Sequence, residues 1–384
     1  MTFTREAEAR PVSIEGGSAM QIAVHHQFMQ LPAGKSQPQV WQEHLEQTIY
    51  ADQLGYDGIS MVEHHFFPHY SIGSSQITYL AYMAARTQRV RFLTNIILLP
   101  FRHPVLVAED TAVLDMISGG RLDVGVGRGY VKAQFDAFGV PMEESAERFR
   151  EALEIILKGW TSEEPWTYEG RFWSVKRPVV IQPRPFQKPH PPLSAPGLSP
   201  STIEWLARNG IGIHLGAVET VRIVAEDARL YRERLAEARA AGVSVKGPVR
   251  LMRFVLVADT MEEARRTAEA GVRAYIETLL RYNRPADGDR FAPGYEYYKE
   301  NWDKMQRILD DYLWWEQRSP IVGTPDYCLE WLHQIWEQVG GWDQLICWMS
   351  FGGVPHQKVM RSLELFAERV MPELRKLEVA PGAR

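Results

Sequence analysis

The chain has 384 residues, enough for one large domain or two ordinary ones, and its 45% hydrophobic and 24% charged content is that of a globular protein able to bury a large core. A net charge of −5 gives no electrostatic reason to expect nucleic acid or an anionic membrane as a partner. The two cysteines, Cys328 and Cys347, form no CxxC pair and sit in apolar sequence, which argues against a disulfide scaffold or zinc site and for a reducing, cytoplasmic setting.

Residues 1–19 carry Arg5, Glu6, Glu8, Arg10 and Glu15 where a signal peptide needs an apolar centre, and read as a flexible leader. No apolar run approaches the roughly 18 residues that cross a bilayer. From Met20 onward strand-like and helix-like segments alternate, and one domain is expected over 20–384. Met20 to Val24 is a strand, and Val40 to Leu54 a helix with Trp41, Leu45, Ile49 and Ala51 on one face. Gly58 to Val62 is a second strand, followed by a helix through Tyr79 to Arg86. Val90 to Leu99 is a third strand, and Val105 to Ile117 a helix stopped by Ser118-Gly119-Gly120. Leu122 to Val126 is a fourth strand and Glu144 to Trp160 a fourth helix.

A Pro- and aromatic-rich insertion over about 162–192 contains a hairpin at Tyr168 to Trp173. Pro192 to Ala195, Ile211 to Leu215, Val249 to Val257 and Gln344 to Met349 complete eight strands, with helices at Ser201 to Arg208, up to about Ala241, from Met261, at Asp326 to Gln338 and from about Gln357 to Leu377. Eight strands each followed by a helix fit an α/β (β/α)8 TIM barrel better than a doubly wound sheet. The least periodic stretch, about 281–301, reads equally as a loose loop or a lid.

In such a barrel all strand carboxyl ends meet at one mouth, so residues distant in sequence become neighbours. Glu63-His64-His65 follows the second strand, where ionisable side chains are a poor choice for packing and a good one for proton handling. Asn95 lies near the end of the third strand. Gly125-Val126-Gly127-Arg128-Gly129 reads as an anion nest, with glycines for close backbone approach and a forked cation. Ser199 and Thr202, at a helix start after the fifth strand with Ser194, fit either plain capping or phosphate binding, and Arg128 at the same mouth favours phosphate. GxSxG, HExxH and GxGxxG are absent, and His64, His65 and His69 with Glu63 lack a second cluster of carboxylates to complete a metal site, so no metal is expected.

Several motifs together resemble the bacterial luciferase-like flavin monooxygenases: Glu63-His64-His65-Phe66, Leu99-Pro100-Phe101-Arg102-His103-Pro104, Leu114-Asp115-Met116-Ile117-Ser118-Gly119-Gly120-Arg121, Val322-Gly323-Thr324-Pro325 and Val370-Met371-Pro372. The resemblance runs from Met20 to the last helix. It implies a (β/α)8 barrel binding FMN as FMNH2, delivered by a separate NAD(P)H:flavin reductase, and a C4a-hydroperoxyflavin that oxygenates a medium-sized, largely apolar substrate with O2. It implies His64 as the catalytic acid/base, with Arg128, Gly129, Ser199 and Thr202 at the phosphate. Asn95-Ile96 would form a non-prolyl cis peptide beside the isoalloxazine ring. Glu63, His65, Arg148 and Ser194 are expected as supporting residues, the loop at 281–301 as mobile, and a homodimer as the assembly. Two positions depart from the pattern: Gly127 stands where the luciferase α-subunit has a reactive Cys, which argues against light emission and suggests room for a different substrate. Ala146 replaces a second phosphate-binding Arg, for which Arg148 is the available substitute. A deazaflavin-dependent dehydrogenase on the same barrel, and a non-catalytic flavin-binding subunit, are the competing readings.

Overall fold

Short runs of β-branched and apolar residues form the strands, and each is too hydrophobic on both faces to be left uncovered, which is the pattern of a parallel sheet sandwiched by helices. The computed structural model describes residues 20–30, 34–243, 248–283, 295 and 320–377. The leader expected over 1–19 lies outside these, as does most of the loop expected over 281–301.

Eight parallel strands close on themselves: β1 (Gln21–His26), β2 (Gly58–Met61), β3 (Arg91–Thr94), β5 (Leu122–Gly127), β8 (Leu193–Pro196), β9 (Gly212–Leu215), β10 (Val249–Val257) and β12 (Gln344–Trp348), which pairs back to β1, while the short β11 (Ile321–Gly323) pairs with the far end of β10. The (β/α)8 barrel expected from the alternation is therefore the fold. Side chains alternate strictly. Outward residues such as Ile22, Val24, Val124, Val126, Leu345 and Cys347 join the main core under the helices, whereas Ala23, Leu93, Ile346 and Met252 pack against each other within the barrel. Each fully buried aliphatic side chain contributes about 1.5–3 kcal/mol relative to exposure. Cys328 and Cys347 are buried and unpaired. Among the described residues no helix is long and apolar enough to cross a membrane.

Four details differ from the sequence reading. The third strand is interrupted: β3 ends at Thr94, a cis bond joins Asn95 to Ile96, and β4 (Ile97–Leu98) pairs separately with β5. The first helix (Gln37–Leu54) packs the expected face, with Ala51 buried and Trp41, Leu45 and Ile49 half-buried against the core, but it buries polar His44, Gln47 and Thr48 as well, because a polar chain meets them there. His26 meets His44 at 2.9 Å and Thr48 at 2.8 Å, and Thr48 meets the Tyr79 hydroxyl at 2.6 Å. The last helix is broken by a π-turn over Phe366–Val370 ahead of Pro372, whose missing N–H cannot continue an α-helical ladder. A short helix, Lys132–Phe138, stands where only a connection was expected; Gly139, at φ +66, ends it. The insertion does contain an antiparallel hairpin, β6 (Trp166–Glu169) with β7 (Ser174–Val179).

Candidate active site

At the carboxyl end of β2 the chain turns sharply, and Phe66 takes φ +70, a conformation a bulky residue adopts only when its surroundings impose it. The turn sends Glu63 and His64 in different directions. Glu63 is buried, and its Oε1 accepts from His65 Nε2 and Arg102 Nε, both at 3.0 Å. Both contacts fall on that one oxygen, and Oε2 has no partner among the described residues. His64 packs its ring on Tyr70 (centroids 4.4 Å apart) with Tyr130 edge-on at 5.9 Å. Burial, and then the neighbouring His65, push its pKa down to about 3, so the imidazole is neutral at cellular pH. Its Nδ1 faces the Gln134 side-chain amide at 3.3 Å. No group of three or more His, Cys, Asp or Glu able to hold a metal occurs among the described residues.

Tyr130 links His64 to the end of β5, two strands along the barrel. Its hydroxyl is hydrogen-bonded to that of Tyr70, and Tyr275 approaches Tyr70 at 3.4 Å. Burial raises Tyr70 and Tyr130 above the ordinary phenol range, so both stay protonated. Tyr130 immediately follows the glycine-rich stretch, and each inward glycine there has its own reason. A Cβ on Gly125 would collide with the Thr94 carbonyl oxygen, and Thr94 Oγ1 accepts from the Gly125 N–H at 2.8 Å. A Cβ on Gly127 would strike the Ile96 side chain. The room expected beside Gly127 for a different substrate is thus already filled by Ile96. Gly129 turns the backbone at φ +79, and Arg128 lies over the Tyr295 ring at 4.9 Å. Tyr295 donates to the Gly129 carbonyl at 2.8 Å and meets Ser145 at 2.9 Å.

β8 is the neighbour of β5, with Gly125 beside Ser194, so Arg128 and the turn at Gly197 to Ser199 share one stretch of rim. Ser199 is the N-cap of the helix Pro200–Arg208: its Oγ accepts from the Thr202 N–H at 3.4 Å, and the two hydroxyls are 2.9 Å apart. Guanidinium, paired hydroxyls and the free N–H groups of a helix start form a donor set suited to a phosphate monoester. Arg148 is held elsewhere. It pairs with Glu144 at 2.8 Å and lies over the Phe172 ring of the hairpin at 4.4 Å, so any approach to a phosphate requires exchanging Glu144 for it.

Ser194 does not reach the rim. It sits inside the barrel as one link of a directed chain. Arg250 can only donate, and does so to Ser194 Oγ at 2.5 Å; the hydroxyl then donates to His214 Nε2 at 2.7 Å. His214, kept neutral because burial, Arg250 and His25 all oppose its charge, donates from Nδ1 to Asn95 Oδ1 at 2.9 Å. Asn95 is thereby oriented at the cis Asn95–Ile96 bond, whose Ile96 carbonyl accepts from Gln76 Nε2 at 2.8 Å. The opposite wall is aromatic: Trp348 packs on Phe254 (4.7 Å), Tyr275 (4.6 Å) and, edge-on, His25 (5.3 Å).

Sequence reasoning passed over Tyr70, Tyr130, Gln134, His25 and His214. Two of them carried a usable signal. His25 precedes the end of β1 as His64 follows β2, and Tyr130 adjoins Gly127-Arg128-Gly129. Tyr70, Gln134 and His214 carried none, because only the closed barrel brings them to the mouth.

The chain belongs to the luciferase-like monooxygenase family, whose model matches residues 20–342. It is 27% identical over 309 residues to the FMNH(2)-dependent dimethylsulfone monooxygenase of Pseudomonas putida, covering 77% of each chain. Monooxygenase RslO1 from Streptomyces bottropensis superposes with a TM-score of 0.77 at 29% identity, over 92% of this chain and 99% of that one. A match to protein y4vJ of Sinorhizobium fredii, 33% identical over 184 residues, takes in 48% of this chain and 52% of that protein, about half the length of each.

Proposed function

We propose that the chain is the oxygenase component of a two-component system that takes reduced FMN from a separate NAD(P)H:flavin reductase and uses O2 to oxygenate a medium-sized, largely apolar organic compound. The observation that carries this reading is the meeting, on one barrel mouth, of a phosphate-type donor set and a desolvated neutral imidazole. Family membership supports the reaction class, and the FMNH(2)-dependent relative supports the cofactor.

Arg128, the backbone at Gly129 and the Ser199/Thr202 helix start would hold the FMN phosphate. Asn95 and Ile96 would lie against the isoalloxazine, with the Ile96 carbonyl fixed by Gln76. When bound, reduced FMN supplies the electrons that activate O2. The side chains supply position, dryness and proton control. His64 would present a hydrogen-bond donor, or pass a proton, to an oxygen atom held at the mouth. Tyr70, Tyr130 and Tyr275 close that side against water. Phe254, Trp348 and Met252 offer an apolar wall. Trp348 Nε1, buried and without a hydrogen-bond partner among the described residues, is a donor that a substrate carbonyl or hydroxyl could satisfy.

The full chain incubated with FMN, NADH, a flavin reductase and a panel of ketones, aldehydes and terpenes should give a product one oxygen atom heavier. Turnover of reduced deazaflavin without oxygen uptake would sink the reading. His64→Ala should lower oxygenation at least about tenfold, the low end for acid–base catalysis, while leaving FMN affinity nearly unchanged. Unaltered turnover would reject the role given to His64.

A further inference from the structure

A histidine can serve a site in two opposite ways. With the proton on the nitrogen that faces the ligand it donates; with that nitrogen bare it accepts. The distinction for His64 is decided by a residue outside the family motifs that drew attention to it. Gln134 lies on the short helix Lys132–Phe138 and is buried. Its Nε2 stands 3.1 Å from the His65 carbonyl oxygen and 3.3 Å from His64 Nδ1. The carbonyl oxygen settles which end of the amide is which. A flipped amide would set oxygen against oxygen, so the NH2 group occupies this position and donates both hydrogens, one to each partner. His64 Nδ1 must then be the acceptor.

The imidazole cannot escape this by charging. It is buried against Tyr70 and Tyr130, with His65 and His25 as its nearest titratable neighbours of like sign, and both oppose an imidazolium. A neutral ring whose Nδ1 accepts carries its proton on Nε2, and no hydrogen bond occupies Nε2 among the described residues. We infer that Gln134 is a positioning residue that locks His64 as the neutral Nε2–H tautomer, so that His64 meets the mouth as a hydrogen-bond donor and not as a base. The functional half of this inference rests on the role proposed above for His64. The tautomer itself does not.

The test reads the two halves separately. In the full chain labelled with 15N-histidine and free of FMN, long-range proton–nitrogen spectra at pH 7 should show the Nε2–H tautomer for His64, its signals identified by their loss in His64→Ala. Gln134→Glu, nearly isosteric and placing an acceptor where the amide donated, should move His64 to the Nδ1–H form or to the cation. Gln134→Leu, which offers neither donor nor acceptor, should give a mixture. A wild-type Nδ1–H signal, or a tautomer indifferent to both substitutions, would overturn the inference without touching the proposed function. With FMN, reductase and the panel compound that the wild type oxygenates best, Gln134→Glu should lose about tenfold in kcat with FMN Kd unchanged, and Gln134→Leu less, in proportion to its share of the Nδ1–H form. That loss should vanish in the His64→Ala background, since coupled residues are not additive. A moved tautomer with full turnover would refute the link between donor polarity and the reaction. Comparable circular dichroism and Tm for the two variants would exclude misfolding, and whichever variant folds suffices.

Discussion

At the amino-terminal end of the barrel Asp123 is fully buried yet charged, with Oδ1 taking Arg91 at 2.5 Å and Oδ2 taking Arg250 at 2.8 Å. Burial alone would raise its pKa, but the two guanidinium groups outweigh it and hold the carboxyl below its ordinary value. At the carboxyl-terminal end the solution is reversed. His25, His26, His64 and His214, with His44 behind them, are buried without a counter-ion among the described residues and stay neutral. One end keeps its charges by pairing them; the other keeps one such pair, Glu63 with Arg102, and surrounds it with neutral histidines. Among the buried polar atoms with no hydrogen-bond partner in the described residues, Trp348 Nε1, Glu63 Oε2 and Gln76 Oε1 belong to residues of the mouth. A closed ion-pair network fixes a barrel, whereas a largely neutral, partly unsatisfied one leaves partners to be supplied by a ligand.

Acid should separate the two ends first and most strongly. The five buried histidines titrate near 6.5 when unfolded and far lower when folded, with His25 at about 4 and His64 and His44 at about 3. Unfolding therefore takes up protons between pH 6.5 and about 4, and stability must fall as pH falls through that window. The slope should be on the order of several kcal/mol per pH unit, and urea titrations at stepped pH would measure it. A flat stability profile from pH 7 to 5 would break the comparison. Asp123→Ala comes next: leaving Arg91 and Arg250 buried without their carboxylate should cost about 3–5 kcal/mol, seen as a lower urea midpoint. Retained stability would mean that the floor is not held by its charges. Ser194→Ala should have the smallest effect, about 1–3 kcal/mol, because it strips one partner each from Arg250 and His214. Since Ser194 joins the two ends, the same variant should also free the His214 tautomer, visible in the histidine 15N spectrum.

The eight barrel strands were legible because hydrophobic runs of four to nine residues bounded by Gly, Pro and Asp leave few alternatives, and a parallel barrel is the arrangement that covers both faces of each. Asn95 and Ile96, Arg128, and Ser199 with Thr202 could be placed at one mouth for the same reason: strand ends are local features. Ser194 could not be placed. One residue of register decides whether it faces the rim or the interior, and the pairing with Gly212 and Gly125 turns it inward to Arg250 and His214. Gly127 invited a reading as open space, but the volume beside it belongs to Ile96, at the cis bond between β3 and β4.

By itself, then, the sequence determined the order of strands and helices, the barrel, the family and the segments that reach its mouth, since these follow from periodicity and from motifs that lie close along the chain. Tertiary structure alone decided the protonation of the site. The neutrality of His64 depends on burial against Tyr70 and Tyr130, and the position of its proton depends on a carbonyl oxygen at His65 that orients Gln134. Both are effects of desolvation and hydrogen-bond direction, which act through space and leave no periodic trace in the order of residues.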